Sequence, residues 1–258
     1  MVSIRSSALV LLFLLVEGSQ AFADSTSLLE RAEIAYQQGR WKEARQTLVR
    51  AVGIAKTPEE IRESVSRLSR LNLELLLSPS DQPETVWVKI QSGDSLSKIA
   101  KRAGTTVELL KRINRISDSS KIRVGRTLKV PIESFSVEID ISDNVADLRL
   151  GGRFFKRYPV STGRAGNTPV GEFEITDRLI HPDWWHPLEK RMIPYGDPDH
   201  RIGSHWLGWT KKGFGMHGTD EPEKIGLPVS LGCVRFRNDD IAEVFMLLPS
   251  GTRVTVKP

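Results

Sequence analysis

Cysteine is nearly absent from this sequence: Cys233 is the single one among 258 residues. No intramolecular disulfide can form, and no thiolate pair is available for a structural zinc. The chain also lacks any run of five or more lysines and arginines. Its net charge of +5 comes from 37 basic and 32 acidic residues interleaved along the sequence, which excludes the basic stripe of a nucleic-acid binder and leaves a solvated surface attracted to an anionic envelope. Histidine is sparse as well. His181, His186, His200 and His205 are spaced so that no pair shares a helical face, so neither a metal nor another cofactor is implied. Long apolar runs are missing except near the start, and a composition of 27% charged and 39% apolar residues is that of a globular protein long enough for two to three domains.

The one apolar run, Ala8 to Val16, follows Arg5 and precedes Ala21-Phe22-Ala23. It is too short to span a bilayer comfortably, and the small-x-small ending suits signal peptidase. Residues 1–23 therefore read as a secretory signal peptide, and the mature chain as exported to the periplasm or cell envelope with no membrane span. No cysteine stands directly after the cleavage site, so a lipid anchor is not expected.

A lone thiol in an oxidising compartment asks for a chemical explanation. Thiols attack carbonyls as thiolates, and with an ordinary pKa of about 8.5 only a few per cent is ionised at neutral pH. A histidine partner would both take the thiol proton and hand one to a leaving amine. His217 is the best placed, 16 residues before Cys233, and both stand beside glycines that permit close backbone approach.

His217-Gly218-Thr219 followed by Ser230-Leu231-Gly232-Cys233-Val234-Arg235, with Asn238 three residues on, resembles the signature of the L,D-transpeptidase (YkuD-type) catalytic domain. The resemblance implies that Cys233 is the nucleophile, that His217 is the base, and that the Gly218 backbone carbonyl orients the imidazole. It places Ser230, Leu231, Gly232 and Arg235 around the substrate and the oxyanion. Ser230 could equally hydrogen-bond the turn, and Arg235 could equally be a structural ion-pair partner. Many members carry a second histidine where this chain has Leu231.

Residues 24–78 are patterned as helix. Ala32, Ala35, Gly39, Trp41, Ala44, Leu48 and Ala51 resemble the packing positions of a tetratricopeptide helix pair. Thr57-Pro58-Glu59-Glu60 supplies an N-cap, a first-turn proline and a capping-box glutamate for a third helix ending near Leu77. Such a region is either a docking surface for a partner protein or a spacer packed on the rest. Residues 79–85 have linker composition. Residues 86–131 resemble a LysM module in β-α-α-β order. The resemblance implies a module that binds N-acetylglucosamine-containing glycan between the loop Gly93, Asp94, Ser95, Leu96 and the loop 117–122. No paired carboxylates stand there to cleave glycan.

From Phe135 the apolar period becomes two, and residues 135–258 read as hairpins. The fold class is multidomain: an α-helical hairpin region, a LysM module, and a mostly β catalytic domain of β-sandwich type. Between Ile180 and Trp209 lie Trp184, Trp185, Trp206 and Trp209 among prolines and glycines, which reads as a loop forming a flap. A helix is expected from Ile241 to Leu248, then a closing strand. The function implied by the resemblance is peptidoglycan L,D-transpeptidation: an acyl-enzyme on a tetrapeptide stem, loss of D-alanine, and transfer to an amine. The alternatives are an L,D-carboxypeptidase or endopeptidase, and a non-catalytic wall-binding scaffold.

Overall fold

The structure is a computed structural model that describes residues 24–258; the signal-peptide reading of residues 1–23 lies outside them. Three helices come first: α1 (Ser25–Gln37), α2 (Trp41–Ile54) and α3 (Pro58–Leu77). Ala32, Ala35, Ala44 and Ala51, small residues that let the helices approach, are buried between them together with Leu48. Trp41, expected to pack, stands at the start of α2, 39% exposed, lining a small cleft with Tyr36, Leu71 and Leu75. The capping box at α3 forms, with Thr57 accepting from the Glu60 N–H and Glu60 accepting from the Thr57 N–H. One face of α3 lies on the C-terminal region. Asn72 donates to the carbonyls of Phe154 and Phe155, so a helix side chain serves the outer edge of a strand that would otherwise invite pairing.

Strand β1 (Thr85–Lys89), helices α4 (Leu96–Arg102) and α5 (Val107–Asn114), and β2 (Thr127–Pro131) follow, with β1 and β2 antiparallel around Ile90, Leu96, Ile99, Leu110 and Leu128. The strands of the C-terminal region are β3 (Phe135–Asp140), β4 (Val145–Leu150), β5 (Arg153–Pro159), β6 (Gly171–Ile180), β7 (Trp184–His186), β8 (Arg191–Ile193), β9 (His205–Trp209), β10 (Gly215–His217), β11 (Val234–Arg235) and β12 (Arg253–Lys257), with α6 (Asn238–Leu247) before β12. Eight of them form one sheet in the order β11-β10-β9-β6-β12-β3-β4-β5. Strict alternation in β3 and β4 sends Val137, Ile139, Ala146 and Leu148 to a core closed by α6.

The two layers expected of a sandwich arise from bending this single sheet. The ten residues of β6 serve both halves, pairing with β12 through Phe173 and Glu174 and with β9 beyond a bulge between Ile175 and Asp177. Bulges add twist and bend a strand, and this one turns the β9-β10-β11 half over α6.

Residues 180–209 correct the expectation of a loop. They contain the β7–β8 hairpin and the whole of β9, a central strand of the main sheet. Prolines and glycines concentrate in the turns between these strands, which masked the short apolar segments from a composition argument. No helix of the described residues is long and apolar enough to cross a membrane.

Candidate functional site

Parallel pairing of β10 with β11 builds the site. Met216 stands opposite Val234 and His217 opposite Arg235. Met216 and Val234 are fully buried in the core. By alternation, His217 and Arg235 turn to the other face, and Cys233, one residue before the strand, turns with them. Two residues sixteen apart in sequence thus come to one patch. His217 is 4% exposed and Cys233 is half-buried.

The imidazole is held on two sides. Its Nδ1–H donates to the Gly218 carbonyl at 2.6 Å; a carbonyl only accepts, so this bond fixes the proton on Nδ1 and leaves the Nε2 lone pair free. Trp206, its antiparallel partner on β9, stacks on the ring with centroids 5.8 Å apart and 18° between planes. Burial pushes the His217 pKa down to about 4, against the Gly218 hydrogen bond, and the Arg235 charge pushes the same way. The resting ring is neutral.

Cys233 is also held neutral. Its Sγ–H points to the Gly213 carbonyl at 3.6 Å. Desolvation raises its pKa to about 11, opposed by a hydrogen bond from the Gly215 backbone and by Arg235. The site therefore rests as thiol and imidazole and not as an ion pair.

The turn before Cys233 is pinned by Ser230, 2% exposed. Its Oγ donates to the Cys233 carbonyl at 2.6 Å and accepts from the Gly232 N–H at 3.0 Å. Gly232 adopts φ +142°, and a Cβ there would sit 2.8 Å from the Phe214 ring. Only glycine fits. Since Ser230 engages the Gly232 N–H, that donor is occupied at rest, whereas the Leu231 side chain stands 42% exposed at the rim. Arg235 donates to Glu221 at 3.1 Å, and its buried Nε has no partner. It is an ion-pair partner and also a positive charge beside the sulfur.

Several contributors were not separable in the sequence. Trp206 looked like any other of the four tryptophans; only the register assigns it to His217. Trp209 is buried and stacked on Phe173, Trp184 packs edge-on to His186, and Trp185 is 54% exposed. Asn238 was legible as part of the motif, yet its carboxamide faces backwards, accepting from the Thr219 N–H at 3.1 Å and donating to the Thr219 carbonyl at 2.9 Å. A Cβ on Gly218 or Gly203 would collide with that carboxamide, which locks the backbone whose carbonyl holds His217.

The other predicted residues sit far along the chain in the β1–α4 turn. Gly93 has φ +81° and open space around it. Asp94 accepts from the Gln91 N–H and from Arg102, whose hydrogen bond is the main cause holding the carboxylate below its usual range. Ser95 caps α4 through the Lys98 N–H, and Leu96 is 1% exposed in the module core. Beside the second loop lies a shallow cleft of about 150 Å³ lined by Asn114, Ser117, Asp118, Lys121 and Arg126. Roomier clefts, about 500 Å³ among α2, α3 and β5 and about 930 Å³ between α3 and the β4–β5 edge, lie away from Cys233. Among the described residues, no group of three or more His, Cys, Asp or Glu side chains is arranged to hold a metal ion.

The L,D-transpeptidase catalytic domain model matches residues 134–256, and the LysM domain model matches residues 88–131. The YkuD protein of Bacillus licheniformis is 32% identical over 177 residues, covering 66% of this chain and 98% of its own length. The YkuD protein of Bacillus subtilis is 30% identical over 175 residues, covering 65% and 96%. A solved structure, L,D-transpeptidase 3 of Mycobacterium tuberculosis, aligns over 52% of this chain and 66% of that one at 19% identity with a TM-score of 0.42. With the relative's length matched almost end to end and both domain models in chain order, the chain belongs to the YkuD family of L,D-transpeptidases and carries a LysM domain.

Proposed function

We propose that this protein is a cysteine acyltransferase of peptidoglycan working outside the cytoplasm, with residues 24–78 a helical support, 86–131 the glycan-binding module and 135–258 the catalytic domain. The observation that carries the reading is the His217 Nδ1–H bond to Gly218, which leaves Nε2 as a base on the face that Cys233 shares.

Cys233 attacks the carbonyl of the third residue of a tetrapeptide stem, its proton passing to His217 Nε2 as the sulfur–carbon bond forms. Because both groups rest neutral, charge separates only as attack proceeds, and Arg235 stabilises the negative side of it. The imidazolium then protonates the D-alanine nitrogen, the peptide bond breaks and a thioester remains. An incoming amine gives its proton to Nε2, attacks the thioester and releases the thiol. The N–H groups of Leu231 and Cys233 are the donors for the oxyanion, the Gly232 N–H being engaged by Ser230; one such donor contributes about 3 kcal/mol in comparable sites. The Trp206 indole shields the base and stabilises the imidazolium face-on once it forms.

Product analysis with disaccharide-tetrapeptide tests the reading. Dimers lacking one D-alanine, formed by the wild type and absent with Cys233→Ala, are expected. Disaccharide-tripeptide alone would assign the second step to water and make the enzyme a carboxypeptidase. No product from folded wild type would overturn the enzymatic reading.

A further inference from the structure

The LysM module is built into the catalytic frame. On α5, Leu110 faces its own module core, but Leu109 and Ile113 join Leu76 of α3 in the cluster of the catalytic strands and α6. Thr106, 2% exposed, caps α5 through the Leu109 N–H and donates its hydroxyl to the Met246 carbonyl. Arg178 of β6 donates to the Phe245 carbonyl at 2.7 Å, lies 4.1 Å over the Phe245 ring and reaches Glu108 of α5 at 3.5 Å.

The connection before the module is fastened too. Lys129, 1% exposed, donates to the carbonyls of Ser78 and Ser80 at 2.8 and 2.6 Å. Glu84 pairs with Arg45 of α2 at 2.6 Å and lies 3.7 Å from Arg153 of β5. A buried ammonium bound to two linker carbonyls, and a buried carboxylate shared by two regions, leave no slack for a tether. Helix α6 then touches both ends of the problem. Its last turn receives Thr106 and Arg178, and its first residue, Asn238, clamps Thr219 beside His217. Seven or eight residues of helix separate these contacts, roughly 11 Å.

We propose that the docked LysM module is a fixed-span ruler, which makes stem peptides carried on glycan strands long enough to reach both sites the substrate class, in preference to free muropeptides. This rests on the reading of Cys233 as nucleophile and of the module as a glycan binder. A flexible tether raises local substrate concentration smoothly with ligand length, whereas a rigid pair of sites gains nothing until the ligand spans them. Thr106, Arg178 and Leu109 are then positioning residues for substrate selection.

The test measures turnover per stem on un-cross-linked glycan strands of increasing defined length, each repeat bearing a tetrapeptide, with disaccharide-tetrapeptide as baseline and strand affinity measured separately. Wild type is expected to stay at baseline for short strands and to rise at least about tenfold at a threshold length. Thr106→Val/Arg178→Ala should keep baseline turnover and strand affinity but show no step. Small-angle scattering reports undocking, and if that variant stays docked, Leu109→Asp enters the same assay. A gradual rise in wild type, or an unchanged step in an undocked variant, overturns the ruler alone. Wild type without turnover on any member overturns the reading of the catalytic site, and the ruler with it.

Discussion

Two glycine-marked turns, Gly93 to Leu96 and Ser230 to Cys233, look alike in the sequence: each lies next to a short strand and each carries a serine and a leucine within three residues of its glycine. In the structure their polar groups do opposite things. At the first turn every side chain is engaged locally, Asp94 by Gln91 and Arg102, Ser95 by the Lys98 N–H, Leu96 by the module core. At the second, Ser230 takes up the structural work alone, and the thiol of Cys233, the Nε2 of His217 and the Nε of Arg235 are left without strong partners. Chemistry needs unengaged groups at fixed positions. The glycan groove proposed at the first turn needs only backbone and shape, which leaves its side chains free to hold the turn together.

Breaking that contrast at its centre should give the largest effect. Cys233→Ala is expected to lower turnover by about 10⁴-fold or more, the scale on which nucleophile removal acts in comparable sites, with unfolding transitions unchanged. Next comes Leu96→Ala, at about 2–5 kcal/mol of module stability by calorimetry, abolishing glycan binding by loss of the fold while Cys233 still alkylates.

Titration of the base gives an effect of about 3 kcal/mol. The His217 pKa is about 4 in the fold against an ordinary 6.5, so the unfolded chain binds more protons between those values. The stability contribution is complete above pH 6.5 and is lost as pH falls toward 4. Denaturant titrations should show this slope in wild type and a flatter one in His217→Gln. Cys233 has the mirror behaviour: with its pKa raised from 9.0 to about 11, alkylation by iodoacetamide should keep accelerating above pH 9, where an imidazolium-paired thiolate would already have levelled off.

Smaller still is Trp206→Leu, expected to reduce kcat/KM about tenfold by loosening the base, with the acid limb of the pH profile shifting; an unchanged limb would make the indole mere packing. Asp94→Asn should be smallest, lowering the module's melting temperature slightly through the Arg102 contact and leaving catalytic turnover on disaccharide-tetrapeptide unchanged.

Much of this was legible beforehand for identifiable reasons. The capping box of α3, the alternation of β3 and β4, and the LysM element order are local patterns, and local patterns survive into structure. His217 and Cys233 were readable because each is marked by an adjacent glycine that the backbone needs. What could not be read depends on pairing between distant segments. The stacking of Trp206 on His217 follows from the β9–β10 register; the reversal of Asn238 toward Thr219 follows from where α6 begins; the hairpin and strand inside residues 180–209 were hidden because proline-rich turns dominate the composition there. The fastening of Ser78 and Ser80 by Lys129 was equally invisible, since a linker's composition says nothing of a buried lysine fifty residues on.

The most direct test of the central claim is intact-mass and peptide-mapping analysis of wild type quenched during reaction with disaccharide-tetrapeptide. A covalent adduct of the disaccharide-tripeptide acyl group on Cys233, with one D-alanine released per adduct, is predicted. Turnover with Cys233 unmodified throughout, together with an active Cys233→Ala, would contradict the account.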